Sequence, residues 1–400
     1  MGPAGLRVLM YSHDTFGLGH LRRTSTIAHA ITRAFADAST LIVSGSPIIG
    51  SFDFGPRVDF VRIPGVIKRR SGTYEALRLP FDIDETIALR RSILCHTVSA
   101  FRPDLIIVDK EPTGLRGEML PALDLARERD IPVVLGVRDV LDAPDRVLAD
   151  WTRRGSLDAL ETFYSHVWIY GLPQIHRPLE RLPLGPIMGA RITYTGYLRR
   201  GTWSDDTEDP FLLVTTGGGG DGDGLIDWAL SAYESGADLP WPARIVMGPF
   251  LDPAVRSGFE ARASGLPRVD TCVFDPTLDR TMARAAGTLA MGGYNTFCEI
   301  LTHDRPAIIV PRMRPRLEQW LRAREAAALG LIRMLEDPVE TGAARTRDPG
   351  PLVEALRALP DQPRPSARLV PGLLDGLATI TDWIAQHILG DRSRASGAAP

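Results

Sequence analysis

Residues 289–323 contain Gly292-Gly293-Tyr294-Asn295-Thr296, then Glu299, then an apolar run between Pro306 and Pro311, then Glu318-Gln319 and Arg322-Ala323. The apolar stretch 287–291 predicts a buried strand that meets a helix at the glycine pair. Bare backbone N–H groups and the positive end of the helix dipole would gather there, and that is a place for an anion. Glu299 falls one helical turn beyond Asn295 and Thr296 on the same side, where a carboxylate can accept both hydroxyl protons of a ribose. After a second buried strand, Glu318 and Gln319 offer an acceptor and an amide to the hydroxyls of a sugar. An anion, a diol and a sugar held side by side outline a nucleotide-sugar site.

Two further loops carry chemistry-bearing residues. Thr216-Gly217-Gly218-Gly219-Gly220-Asp221-Gly222 follows the apolar run 211–215, and consecutive glycines allow the close backbone approach that a diphosphate needs. Asp221 and Asp223 oppose an anion there unless they point away or bind the acceptor or a cation. Phe274 ends the run 268–274 and either edges a nucleobase or fills the core. Near the start, Ser12-His13-Asp14-Thr15-Phe16-Gly17-Leu18-Gly19-His20 joins the run 6–11 to a helix with Leu21, Ile27, Ile31 and Phe35 on one face. This loop lacks the third glycine of the dinucleotide fingerprint, and no acid ends the next strand. His20 stands at the helix start, where the dipole lowers the imidazole pKa and favours the proton-accepting form; a capping or core role is the alternative. His13 and Asp14 share the loop as rival bases.

The elements that must position these groups are legible as apolar runs at 40–43, 105–108, 133–137 and 167–170, separated by helical patterns such as 83–101 and 119–129. That alternation predicts a parallel, doubly wound α/β sheet, whose ligands sit beyond the carboxyl ends of the strands. Asp109-Lys110-Glu111 and Arg138-Asp139 end two of the runs and should converge on one cleft. Asp109 and Glu111 are candidate bases, or with Lys110 an ion cluster that shapes an acceptor pocket; Arg138 and Asp139 are acceptor contacts or a structural pair. A polar, acidic linker at 198–210 divides a first domain, 1–197, from a second, 211–365. The 400 residues suit two domains of roughly 150 to 200 each.

Composition narrows the class. Hydrophobic residues make up 44% and charged ones 24%, as in an ordinary globular protein. Lys plus Arg total 46 against 49 for Asp plus Glu, so no overall basic field argues for nucleic acid. Cys95, Cys272 and Cys298 are scattered without metal-ligand spacing, which suits a reducing compartment and core packing. No stretch reaches the ~18 apolar residues of a membrane span, and a cytoplasmic protein is expected. Lys68-Arg69-Arg70 reads as an exposed loop outside the sheet, either simply solvated or touching an acceptor or a lipid headgroup.

The two doubly wound halves, the Gly-x-Gly-His loop, the glycine run and the series Gly-Gly-x-x-Thr-x-x-Glu, Pro-x-x-x-x-Pro and Glu-Gln-x-x-x-Ala resemble the GT-B-fold glycosyltransferases. Within them the sequence is most similar to family 28, which includes the MurG-type N-acetylglucosaminyltransferases and plant monogalactosyldiacylglycerol synthases. The resemblance implies two Rossmann-like domains facing across a cleft. Gly292, Gly293, Asn295 and Thr296 take the phosphate-loop positions, Glu299 the ribose position, and Glu318 and Gln319 the donor-sugar position. Gly17, Gly19 and His20 take the N-terminal loop, whose histidine is a base or phosphate contact. Tyr294 replaces the usual small residue, and acids flank Gly217–Gly220. The implied reaction is inverting transfer from a nucleotide-sugar co-substrate, a UDP-sugar foremost, to a hydroxyl on a lipid, polysaccharide or small metabolite, with no metal or other cofactor. The base is His20 or one of Asp14, Asp109 and Glu111. Rival readings are a nucleotide-sugar 2-epimerase of the same architecture and a nucleotide-binding protein without chemistry. Residues 366–390 form an amphipathic helix that, in this fold, crosses back to the first domain; 391–400 read as a disordered tail.

Overall fold

The computed structural model describes residues 5–13, 19–51, 54–68, 73–201, 209–218 and 220–390. Asp14, Gly17, Gly219, the Arg69-Arg70 pair, most of the 198–210 linker and the 391–400 tail lie outside them.

The chain divides into two compact units: residues 1–172 with 178–198 and 375–400, and residues 173–177 with 199–374. The first contains β1 (Arg7–Ser12), β2 (Ser39–Ser44), β3 (Val58–Arg62), β4 (Val66–Lys68), β5 (Tyr74–Ala76), β6 (Leu105–Asp109), β7 (Val133–Arg138), β8 (His166–Tyr170) and β9 (Ile192–Tyr194). Seven of these form a sheet of order β3-β2-β1-β6-β7-β8-β9, parallel at every pairing. Helices cover a parallel sheet, so its inner strands are apolar on both faces, and all five residues of β6 are buried. Strand order reverses between β1 and β6. β4 and β5 pair antiparallel as a separate hairpin. Lys68 is thus the last residue of a strand, and the rest of the expected loop, 69–72, lies outside the described residues.

The second unit contains β10 (Leu212–Thr215), β11 (Ala243–Val246), β12 (Val269–Cys272), β13 (Gly287–Ala290), β14 (Ala307–Ile309) and β15 (Arg333–Met334), a parallel sheet of order β12-β11-β10-β13-β14-β15. Its reversal lies between β10 and β13. Each sheet has its own core, one around Leu135, Val137 and Ile169, the other around Val214, Trp228 and Leu289. No helix among the described residues is long and apolar enough to cross a membrane.

The C-terminal segment differs from one continuous helix. A short 3-10 turn, Pro365–Ala367, is followed by irregular chain in which Leu369 is 95% exposed, and the helix starts only at Gly376–Ile384. Pro371, which lacks an N–H, and Gly372, with φ +75°, keep the leucines of this stretch out of the helix. The helix packs into the first unit. Trp383 lies 4.9 Å from the His166 ring and stacks on His387 at 4.5 Å, and His166 Nε2 meets Thr193 Oγ1 at 2.8 Å.

Burial, with the nearby His387 and Arg191, pushes the His166 pKa down to about 4. The unfolded chain, with a histidine pKa near ~6.5, thus takes up this proton first, so stability falls as pH drops from about 6.5 towards 4. Glu111 and Asp109, both depressed, add a second loss at lower pH, as the unfolded carboxylates take up protons below ~4.5. Urea midpoints measured across this range should fall in both windows. The lowered pKa values of His13, His20 and His303 add to the upper loss, so His166→Gln, which retains a polar group near Thr193, should lessen it without abolishing it; an unchanged upper window would refute the assignment.

Candidate functional site

In the first unit the chemistry collects past the ends of β1 and β6, the adjacent strands at the switch point. Their register, Tyr11 beside Val108, sets the start of the helix Gly19–Ala34 against Asp109. His20 Nδ1 lies 2.5 Å from Asp109 Oδ2. Arg23 donates from Nε to Oδ1 at 2.9 Å and from Nη2 to both carboxylate oxygens at 2.6 and 2.8 Å. Asp109 and Arg23 are buried, whereas the His20 side chain is 18% exposed. The expected rival bases are thus partners: the aspartate orients the histidine.

Burial alone would raise the Asp109 pKa, but Arg23 and His20 hold it well below the carboxylate range. Burial lowers the His20 pKa, and this outweighs the raising effect of Asp109; Arg23 and Lys110 add to the lowering. His20 is therefore neutral near pH 7. The carboxylate can only accept, so the Nδ1 proton is assigned to the Asp109 bond, and Nε2 carries the lone pair. Beside this pair, the His13 and His20 rings meet edge to face at 6.0 Å. Burial and Lys110 push His13 down to about 3. Glu111 is buried between Lys110 (3.3 Å) and Arg154 (2.8 Å), and these with His13 bring its pKa down to about 2 against the opposing effect of burial. It is held as an anion between these two cations.

Asp139 does not line this site. It is fully buried, accepts from Tyr197 Oη at 2.7 Å and from the Val140 amide at 2.8 Å, and braces the fold instead of touching an acceptor. Arg138, the last residue of β7, is half-buried. Arg23 is the residue that sequence reasoning missed. Its spacing from Ile27 and Ile31 places a cation on the buried face of the helix, and that was the available signal. Its guanidinium lies over the Tyr170 ring, 5.8 Å from the centroid, and Gly136 leaves the space that the Tyr170 hydroxyl fills; a Cβ there would lie 1.9 Å from it.

In the second unit, Gly292 and Gly293 follow β13, and Gly293 caps the helix Tyr294–His303, whose first turn carries no acid. Gly292 has φ +76°, and a Cβ on it would meet Ile309 Cγ2 at 2.6 Å, so only glycine fits. Buried Arg322 donates to the Gly292 carbonyl at 2.9 Å and holds the turn. Gly293, Asn295 and Thr296 are half-buried and Glu299 is buried. Asn295 Oδ1 accepts from Arg200 Nη2 at 2.6 Å. Tyr294 faces inward with Arg322 over its ring, so it packs the helix and does not line the loop.

The glycine run past β10 departs from expectation in detail. The Thr216 hydroxyl donates to the Met247 carbonyl at 2.7 Å and anchors backbone. Gly217 has φ +70°, and the Gly218 carbonyl accepts from the Phe250 amide at 3.0 Å. Asp223 begins the helix Asp223–Glu234, where the dipole favours an acid. Asp221 pairs with Arg312, whose Nε is 2.5 Å from Oδ2. Arg312 Nη2 also lies 3.6 Å from Glu318 Oε1, and the Arg312 amide donates to Gln319 Oε1 at 3.1 Å. Glu318 and Gln319 open the helix Glu318–Ala328 and are buried. Phe274 is 47% exposed and so is not a core residue.

No protein-family profile and no curated protein matches the sequence. Solved structures do match. The calicheamicin glycosyltransferase CalG4 superposes with a TM-score of 0.60 at 17% identity, over 99% of this chain and 100% of that one. MurG from Acinetobacter baumannii gives 0.58 at 13% identity, over 95% and 99%. UDP-GlcNAc 2-epimerase from Neisseria meningitidis, solved with UDP-GlcNAc bound, gives 0.60 at 13% identity, over 96% and 99%. At these identities the likeness establishes the fold, which is that of the GT-B glycosyltransferases.

Proposed function

We propose that this GT-B chain transfers a sugar from a nucleoside-diphosphate donor, held by the second unit, to a hydroxyl of an acceptor held by the first. The observation that carries the reading is the His20–Asp109 pair at the β1/β6 switch point, with a neutral imidazole whose Nε2 can take a proton. As the acceptor oxygen attacks the anomeric carbon, its proton passes to His20, and Asp109 stabilises the imidazolium that forms. Attack from the face opposite the diphosphate inverts the anomer in one displacement. The leaving diphosphate would meet the N–H groups at Gly293 and the Arg312 guanidinium, without a metal. Glu299 would accept the ribose hydroxyls, and Glu318 and Gln319 those of the donor sugar. Lys110, Arg154 and Arg138 supply charge on the acceptor side, suited to a lipid, a polysaccharide or a small metabolite.

The epimerase likeness supports a second reading, in which the same donor site serves isomerisation without an acceptor. Incubation with UDP-GlcNAc alone separates the two, since an epimerised sugar released without acceptor would favour isomerisation. The test of the donor site is a thermal-shift screen with UDP, GDP, dTDP and their sugars. A ligand at ~100 times its Kd adds about 2.7 kcal/mol to the stability of the unit that binds it. If no nucleotide shifts the transition, the reading fails.

A further inference from the structure

In the second sheet β13 lies between β10 and β14, and Val310 N donates to the Ala290 carbonyl at 2.8 Å, so the chain leaving β14 runs beside the chain leaving β13. Asp221 comes from the loop that follows β10, and Arg312 from the segment that follows β14. These two strands are not neighbours. An ion pair joining their loops must therefore span the Gly292-Gly293 turn that follows β13, at the mouth of the proposed phosphate site.

The pair is also held loosely. Arg312 Nε is 2.5 Å from Asp221 Oδ2, yet the oxygen lies off the N–H direction and the buried Nε–H makes no hydrogen bond. The Asp221 side chain is 48% exposed against 16% for Arg312, and Arg312 Nη2 approaches Glu318 only to 3.6 Å. A half-exposed ion pair adds little stability. A buried donor without a directed acceptor gains when one arrives.

We infer that the Asp221–Arg312 pair is an exchangeable strap, in which Asp221 occupies Arg312 until the diphosphate of a nucleotide donor displaces it. Arg312 then binds phosphate oxygens with directed, charge-assisted hydrogen bonds, and Asp221 swings into solvent. No covalent bond changes. The strap makes donor binding a competition between two anions for one guanidinium, and it tells a nucleoside diphosphate from the nucleoside that lacks the charge. This inference rests on the donor site proposed above.

The experiment is calorimetric titration of the full chain with UDP, GDP and dTDP, and with the parent nucleoside of the tightest binder. Asp221→Asn should tighten the diphosphate about fivefold and leave the nucleoside unchanged. Arg312→Gln should weaken the diphosphate at least about tenfold, again without moving the nucleoside. Asp221 is half-exposed, so its variant should fold as the parent does. Wild-type binding with a diphosphate affinity unchanged or weaker in Asp221→Asn overturns the strap and leaves the donor site standing. A loss of nucleoside and diphosphate affinity together in Arg312→Gln also overturns it, since that would mark a structural role. If the wild type binds none of the three, donor site and strap fall together.

Discussion

His20→Ala should lower turnover by about 10²- to 10⁴-fold, the range for removal of a general base, while nucleotide affinity and unfolding temperature stay near wild type. The split between activity and stability follows from the site's geometry. Asp109 keeps its contacts to Arg23 when the imidazole is gone, so no buried charge is orphaned, and the His20 side chain is partly exposed. Release of UDP from a UDP-sugar in the presence of an acceptor reads the rate, and a titration with UDP reads the affinity. A variant that turns over within about threefold of wild type would remove His20 from the proton transfer and reopen the choice of base. His13 is the remaining candidate of the described loop, although its pKa of about 3 makes it a weak base.

Arg23→Met should destabilise the first unit by about 3–5 kcal/mol, because it leaves the buried Asp109 carboxylate without its cation. The stated range is that for breaking a buried pair, and both partners here are almost fully buried. The same substitution should change the chemistry in a direction that packing loss alone would not. Arg23 is one of the charges that lower the His20 pKa, so its removal raises that pKa. The imidazole then holds its proton to higher pH, and the acid limb of the kcat/KM profile moves upward. Arg23→Lys keeps the charge but loses the two-pronged geometry, and should fall between wild type and the methionine variant in stability, with a smaller shift of the limb. Urea titration and a pH–rate profile measure the two effects. An acid limb superimposable on wild type in Arg23→Met would show that the arginine supports the fold and does not tune the base.

The sequence carried most of the strands of both sheets and the positions of the glycine-rich turns. Interior strands of a parallel sheet are apolar on both faces, and so β1, β2, β6, β7, β8, β10, β11, β13 and β14 stand out as apolar runs. The edge strand β12 and the short β14 were legible too, but β3, β9, β15 and the β4–β5 hairpin did not stand out. β3 carries charges at Asp59 and Arg62, β15 is two residues long, and β4 and β5 are three residues each. These segments pair on one side or bury only part of their surface, so hydrophobicity does not mark them.

Residue types and local spacing determined which groups could do chemistry: a histidine at a helix start, acids at strand ends, and glycines where a backbone must turn closely. Tertiary structure alone decided who partners whom. His20 and Asp109 are 89 positions apart and meet because β1 and β6 are neighbours in register. That contact joined two of the candidate bases in one hydrogen-bonded pair and brought Arg23 beside them as the counter-ion of Asp109. Asp221 changed meaning in the same way, from a charge that opposed an anion to the internal partner of Arg312. Periodicity and turn chemistry act over a few residues and can be read along the chain, whereas the charge environment of a buried group is a sum over neighbours in space that only the packed sheets bring together.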